Sequence, residues 1–267
     1  MNMYLHELKS LRKTTIIWLC AIIAIAALYL SLFPSIANDA NNAFKNMLTI
    51  YPDYFKKMMG IVDSVTSFFG FYSMVITFVV LCGAIQAMNM GVSILSKETR
   101  ERTADFLLVK PVSRTAIVNA KLLAALTMLL ATDLIYYAFV SILAPIVTTL
   151  DHSEIVKFLM INATLLFIQL IFFAIGIGVS VFFNKIKSVL PISLGIVFGF
   201  YFLGALIATG KDDGSRFFSP FKYFDNSYII QHSSYEVPYL ITGAAIVVVA
   251  IAATYFIYSK KDIHAVS

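Results

Sequence analysis

The segment 96–114, SKETRERTADFLLVKPVSR, decides how the rest of the chain is interpreted. It is dense in charge, with three acidic and five basic residues, and it lies between two hydrophobic runs. Its bulky apolar residues are bunched together: Phe106, Leu107 and Leu108. Pro111 lacks an N–H donor and restricts the residue before it, so the pattern predicts a short helix from about Ser96 to about Lys110. We interpret this helix as a docking element for a soluble partner.

The composition excludes a soluble globular protein. Hydrophobic residues make up 60% and charged residues 13% of the chain, whereas soluble domains carry about 25% charged residues. A bilayer span takes roughly 20 apolar residues, and six runs reach that length. They lie at about 15–33, 68–94, 116–143, 158–183, 189–208 and 238–258. We therefore predict an all-α integral membrane protein with six transmembrane helices in one domain, residues 1–267.

The connecting segments differ in charge between the two sides of the membrane. The N-terminus, segment 96–114 with Lys121, segment 184–188 and the C-terminus together carry 13 Lys and Arg against 5 Asp and Glu. The other set carries 7 basic and 9 acidic residues. The bias of Lys and Arg predicts cytoplasmic N- and C-termini in a multi-pass protein of the cell membrane. The net charge of +5 thus reflects orientation, and we expect no nucleic-acid partner.

Residues 1–13 have the pattern of an amphipathic helix. Their apolar side chains fall on one helical face, and their charged side chains fall on the other. Such a helix lies in the plane of the lipid headgroups. The alternative is an ordinary charged leader to the first span. That span is longer than the h-region of a signal peptide, so we expect it to be retained.

Small residues recur at helical spacing in two spans. They are Gly83, Ala87 and Gly91 in the second span, and Gly195 and Gly199 in the fifth. Helices in lipid associate by close approach of their backbones, which small residues permit. We expect these positions to pack helices together.

Asp133 is the one charged residue deep in a predicted span. Its placement there costs about 2.5–3.5 kcal/mol on insertion scales, so its side chain should face the bundle interior or a wet cavity. Two interpretations stay open. Asp133, Gln169 and Asn162 line a substrate pathway or a subunit interface, or Asp133 is a structural partner of Gln169, Asn162 or a tyrosine hydroxyl.

Two aromatic segments, 51–69 and 216–230, lie on the other side of the membrane. Aromatic and apolar residues of the first recur at helical spacing, and the second is too polar to span and too aromatic for a linker. We expect short helices that cap the bundle there. They serve as interfacial anchors, or they contact a transported substrate.

Motifs for chemistry are not found in the sequence. There is no phosphate-cradling GxxxxGK[ST] and no HExxH, and the four histidines are scattered. The two cysteines, Cys20 and Cys82, lie in apolar runs, so we interpret them as buried apolar residues. We predict no catalytic residue, no metal site and no cofactor bound by this chain.

Segment 96–121 resembles the permease subunits of ATP-binding-cassette exporters of the type-2 permease family. That family has an acid-rich segment, then Gly-Thr, a Leu-Leu pair, Pro-Val-Ser-Arg and a Lys early in the third span. The matching residues here are Glu98, Glu101, Thr103, Leu107, Leu108, Pro111, Val112, Ser113, Arg114 and Lys121. Arg102 departs from the family, which usually has Gly there. Segment 219–221, Ser-Pro-Phe, before the last span adds to the resemblance.

The resemblance implies a mechanism. Two permeases, identical or related, sit on two cytosolic ATPase subunits that bind ATP and Mg²⁺, and residues 1–13 form an elbow helix. The segment between spans two and three is then a coupling helix that docks on the ATPase through Glu98, Glu101, Thr103, Phe106, Leu107, Leu108 and Arg114. The cargo is expected to be amphipathic or hydrophobic: a peptide, an antibiotic or a lipid-like molecule.

Two other functions remain as alternatives. One is a non-transporting membrane sensor or immunity protein that binds a peptide at its aromatic caps. The other is a polytopic membrane enzyme that uses Asp133.

Overall fold

The chain folds into helices, and no strand occurs in the part of the chain that the structure describes. The structure is a computed structural model that describes residues 3–38, 46, 48–61, 66–100, 113–183, 186–208 and 213–260. In chain order the helices are α1 (Met3–Ala37), α2 (Asp53–Met58), α3 (Phe68–Arg100), α4 (Arg114–Val147), α5 (His152–Phe182), α6 (Val189–Ile207), α7 (Asn226–His232) and α8 (Val237–Lys260). Two 3₁₀ turns, Asp213–Phe218 and Pro220–Lys222, precede α7.

Six of these helices, α1, α3, α4, α5, α6 and α8, are long and apolar enough to cross a membrane. The predicted all-α integral membrane fold with six spans is therefore confirmed. Each predicted span coincides with one helix, although several helices extend beyond the predicted bounds.

Helix α1 joins two elements that the sequence pattern separates. It runs without interruption from Met3 to Ala37, so the predicted interfacial helix 1–13 and the first span form one helix. Residues 3–33 contain neither Gly nor Pro, so nothing in the sequence breaks the helix before Pro34. At 1.5 Å per residue, 35 residues reach about 52 Å, well beyond a hydrocarbon core of about 30 Å.

Helix α3 also continues past its predicted end. The expected new helix does not begin at Ser96, because α3 runs through that residue to Arg100. The Ser96 hydroxyl donates to the Val92 carbonyl at 2.6 Å, which is a bond within one helix and not an N-cap. Residues 101–112 lie outside the described residues.

Helices α3 and α5 form the centre of the bundle. Helices α1 and α6 pack on α3, α4 packs mainly on α1, and α8 packs on α5. The two central helices cross at Gly91 and Gly176, where a Cβ atom on Gly91 would lie 2.4 Å from the Phe173 carbonyl oxygen and 3.0 Å from the Gly176 Cα. Only glycine allows the backbones to approach this closely.

One end of the bundle, which we call the capped end, is covered by α2, the 3₁₀ turns and α7. Three hydrogen bonds tie these elements to the spans: the Ser219 hydroxyl donates to the Phe200 carbonyl at 2.8 Å, and two tyrosine hydroxyls, on Tyr201 and Tyr235, donate to the Met58 and Met160 carbonyls. Aromatic rings fill the space between them, such as Phe221 against Phe172 at 5.0 Å. Short caps are therefore present where the aromatic segments predicted them.

The opposite end, which we call the basic end, holds the start of α1, the end of α3, the start of α4 and the end of α8. The two cysteines are free; Cys20 is exposed on α1 and Cys82 is half-buried, contrary to the expected burial, because no described helix packs over Cys20.

Candidate functional site

The predicted docking segment leaves the bundle at the basic end. Its residues Glu101, Thr103, Phe106, Leu107 and Leu108 lie outside the described residues. Glu98 lies in the last turn of α3 and Arg114 begins α4, but their side chains are outside the described part as well. Ser113 is the N-cap of α4, and its hydroxyl accepts a hydrogen bond from the Ala116 amide at 3.2 Å.

A buried ion pair lies where this segment meets the bundle. The Lys121 ammonium is 3.4 Å from a Glu7 carboxylate oxygen, and the two side chains are 1% and 8% exposed. The same ammonium donates a hydrogen bond to the Ile94 carbonyl at 2.7 Å. One side chain on α4 thus binds both α1 and α3. We call Glu7, Ile94 and Lys121 the basic-end joint.

Further polar contacts surround the joint. The Lys97 ammonium donates to the Ser10 hydroxyl at 2.5 Å, which links α3 to α1. The hydroxyls of Tyr4 and Thr127 lie 3.0 Å apart and link α1 to α4. The Tyr255 hydroxyl donates to the Asn119 side-chain oxygen, which links α8 to α4. The helices of the basic end are therefore connected to one another by polar side chains.

The energetics of a buried ion pair make the joint sensitive to change. Removing two charges from water is costly, and the pair offsets this cost only while both partners are present. Loss of one partner leaves an uncompensated charge in the interior, which typically costs about 3–5 kcal/mol. The three helices are therefore held in one relative position at this point.

Within the membrane, one polar cluster is nearly satisfied. The Tyr72 hydroxyl on α3 donates to the Asn162 side-chain oxygen on α5 at 2.5 Å and lies 3.4 Å from the Tyr136 hydroxyl on α4. Asn162 also donates to the Phe158 carbonyl at 2.7 Å. Asn162, predicted as a pathway residue or a partner of Asp133, is thus bound to Tyr72.

A second group of polar side chains is not satisfied. Gln86 donates to the Thr132 hydroxyl at 3.0 Å, but its side-chain oxygen has no partner among the described residues. Both carboxylate oxygens of Asp133 and both polar atoms of Gln169 are likewise buried without a described partner. The structure therefore does not pair Asp133 with Gln169 or Asn162.

The small residues fall in two different surroundings. Gly83 lies against Leu165 and Gln169, Ala87 is fully buried, and Gly91 lies against α5. In contrast, a Cβ atom on Gly195 or Gly199 would meet no described atom within 4 Å. These two glycines of α6 lie on an exposed face between aromatic residues, where Phe198 and Phe202 stack at 6.1 Å.

Sequence reasoning missed several residues that organise these sites. Glu7 falls on the polar face of the predicted interfacial helix, although Lys121 early in an apolar run indicates that an acidic partner is needed. Gly176, which faces Gly91, was not singled out. Among the described residues, no group of three or more His, Cys, Asp or Glu side chains is placed to hold a metal ion.

Comparison with known proteins gives one family. The model of the family described as ABC-2 family transporter protein matches residues 1–263, which include all six spanning helices. No curated protein and no solved structure matches the chain.

Proposed function

Because this chain belongs to the ABC-2 family of transporter proteins, we propose that it is the permease subunit of an ATP-driven exporter. The match of the family model over residues 1–263, together with six apolar helices, carries the proposal. ATP and Mg²⁺ bind to separate ATPase subunits, and this chain supplies the membrane path without a catalytic residue of its own.

The basic end faces the cytoplasm in this proposal. The segments predicted there carry 13 of the 20 Lys and Arg residues, and such an excess marks the cytoplasmic side of multi-pass proteins of the cell membrane. The capped end then lies on the outer surface, where exported material leaves.

The docking segment transmits movement of the ATPase. Phe106, Leu107 and Leu108 fill an apolar groove on the ATPase, as buried anchors do at protein interfaces, and the neighbouring charges set the register. The basic-end joint then carries the displacement into α1, α3 and α4, because Lys121 on α4 contacts Glu7 on α1 and Ile94 on α3.

A second permease copy, or a related permease, packs against α6. Gly195, Phe198, Gly199 and Phe202 form an exposed stripe on which no other described helix packs closely, and small residues between aromatic ones allow a close approach of a second helix. The dimer axis then runs beside α6.

The proposal is tested by purification with the partner ATPase. Phe106→Asp combined with Leu107→Asp should abolish co-purification and the ATPase turnover of the reconstituted complex, because two charges cannot enter an apolar groove. Phe106→Leu combined with Leu107→Met is the matched control and should retain both. Assembly and turnover of the charged variant at the level of the control would contradict the docking role. Hydrolytic activity that needs no ATPase and is lost in Asp133→Asn would favour the membrane-enzyme alternative.

A further inference from the structure

A cavity of about 450 Å³ lies under the caps at the capped end. Helices α3, α5 and α6 form its walls, and the 51–61 segment and the turns around Phe221 form its roof. Its volume is within the roughly 300–1,000 Å³ of small-molecule sites. The cavity thus lies between three spans and the caps.

The roof is held in place by specific contacts. The Tyr201 hydroxyl donates to the Met58 carbonyl at 2.7 Å. Gly60 adopts a φ of 75°, and a Cβ atom there would lie 1.9 Å from the Thr77 hydroxyl oxygen on α3. Only glycine fits at this point, so the roof meets the wall in one defined way.

The inner part of the cavity suits an apolar group. Ile76, Val80 and Ile168 line it. Its two threonine hydroxyls are bound within their own helices: Thr77 donates to the Ser73 carbonyl at 2.8 Å, and Thr164 donates to the Ile161 carbonyl at 2.6 Å. The wall therefore has little hydrogen-bonding demand of its own, as an apolar ligand requires.

The polar part of the lining carries both signs of charge. Arg216, Lys222 and Asp225 all line the cavity. Arg216 is fixed by two hydrogen bonds to Glu236, one to the Lys222 carbonyl, and the ring of Tyr239 at 4.3 Å. Burial lowers the pKa of Arg216, but the hydrogen bond and the charge of Glu236, together with Tyr239 and the charge of Asp225, raise it by more, so the guanidinium stays charged.

Arg216 and Asp225 can each bind a further group. Of the five N–H donors of Arg216, Glu236 and the Lys222 carbonyl account for three, which leaves two without a partner among the described residues. Asp225 is exposed, and one of its oxygens accepts from the Ser227 amide at 3.1 Å. A ligand headgroup with one anionic and one cationic part would meet a partner of opposite charge for each part.

We propose that this cavity is the release site for the exported cargo and that it binds a zwitterionic amphiphile. The apolar part lies between α3, α5 and α6, and the headgroup lies among Arg216, Lys222 and Asp225. This inference rests on the proposed export function and adds the chemical class of the cargo and the place where it is held.

Binding is tested with the purified full chain in lipid nanodiscs and dodecylphosphocholine below its micellar concentration, by titration calorimetry. Ala205→Phe fills the cavity and should weaken binding by about tenfold, because it displaces the apolar part of the ligand. Leu203→Phe, on the exposed side of the same helix, is the matched control and should bind like the wild type. Equal binding by Ala205→Phe and the control would overturn the site.

The headgroup is tested by comparing amphiphiles with the same chain. Dodecyl sulfate, dodecyltrimethylammonium and dodecyl maltoside should each bind about tenfold more weakly than dodecylphosphocholine, since each loses at least one charge pairing. Lys222→Glu should shift the preference toward dodecyltrimethylammonium, and this readout holds even if Ala205→Phe folds poorly. Dodecyl maltoside that binds as tightly as dodecylphosphocholine would overturn the assignment to a zwitterion.

These experiments separate the cavity from the export function, because binding is measured on the chain without ATPase. If the chain does not bind the amphiphile, co-purification with the ATPase still tests the export function. If the ATPase does not co-purify, amphiphile binding still tests the cavity. In the assembled complex, ATP turnover should lower the occupancy of the probe if the site holds cargo. Occupancy that does not respond to turnover would overturn the assignment to cargo and indicate a resident phospholipid.

Discussion

At the basic end, a buried ion pair joins α1, α3 and α4, whereas at the capped end a more exposed ion pair, hydrogen bonds and aromatic rings hold short caps around a cavity. The side chains of Lys121 and Glu7 are 1% and 8% exposed, and those of Arg216 and Glu236 are each 19% exposed. Loss of one partner costs most where water cannot reach the charge that remains. The end proposed to dock the ATPase therefore depends on both partners of its ion pair more strongly than the end proposed to release cargo does.

Breaking the basic-end joint should lower the stability of the protein more than any change at the capped end. Lys121→Met leaves the Glu7 carboxylate buried without its cation, which should lower the free energy of unfolding by about 3–5 kcal/mol. Thermal unfolding of the purified protein measures the loss. Glu7→Leu combined with Lys121→Met removes both charges and should recover most of it, because apolar pairs of similar volume often replace buried ion pairs without loss. A double variant as unstable as the single one would refute the joint as an ion pair.

Disturbing the roof of the cavity should have a smaller effect. Gly60→Ala forces a side chain into a backbone with φ of 75° and against Thr77, so we expect a loss of about 1–3 kcal/mol. Hydrogen exchange of residues 51–61 should accelerate while exchange in α3 and α5 stays slow. Gly178→Ala is the control, since a Cβ atom there meets no described atom within 4 Å. Unchanged exchange in the roof would show that this contact does not hold it.

Replacement of Arg216 at the capped end should lower stability by a smaller amount. Arg216→Lys keeps the charge but loses the paired hydrogen bonds to Glu236 and most of the contact with Tyr239, for an expected loss of about 1 kcal/mol in stability. Chemical denaturation against the wild type measures it. A loss as large as that of Lys121→Met would remove the distinction between the two ends.

The smallest effect on the protomer is expected at the open face of α6. A Cβ atom at Gly195 would meet no described atom within 4 Å, so Gly195→Leu should change the stability of the monomer by no more than about 0.5 kcal/mol. If a second copy packs there, the same variant should shift the mass measured by light scattering from dimer to monomer. A stable dimer in Gly195→Leu would place the contact between copies elsewhere.

The sequence predicted the spans well, because length and apolar composition alone define a helix that crosses a bilayer. It also predicted caps at segments 51–69 and 216–230. The partner of Lys121 could not be found in this way: Glu7 fits the polar face of a surface helix, and only the packing of α1 on α4 buries it. Gly60 and the cavity above α3 depend equally on contacts between distant parts of the chain.

Helix α3 runs unbroken from Phe68 through Ser96 to Arg100, so the residues just before the predicted docking segment continue the span as one helix. Its 33 residues are about 50 Å long at 1.5 Å per residue. Under the proposed function, a displacement at Arg100 would reach the cavity along this one helix, since Ile76, Thr77 and Val80 of α3 line the cavity. The two proposed sites thus share one helix, which would give movement of the ATPase a direct route to the cargo.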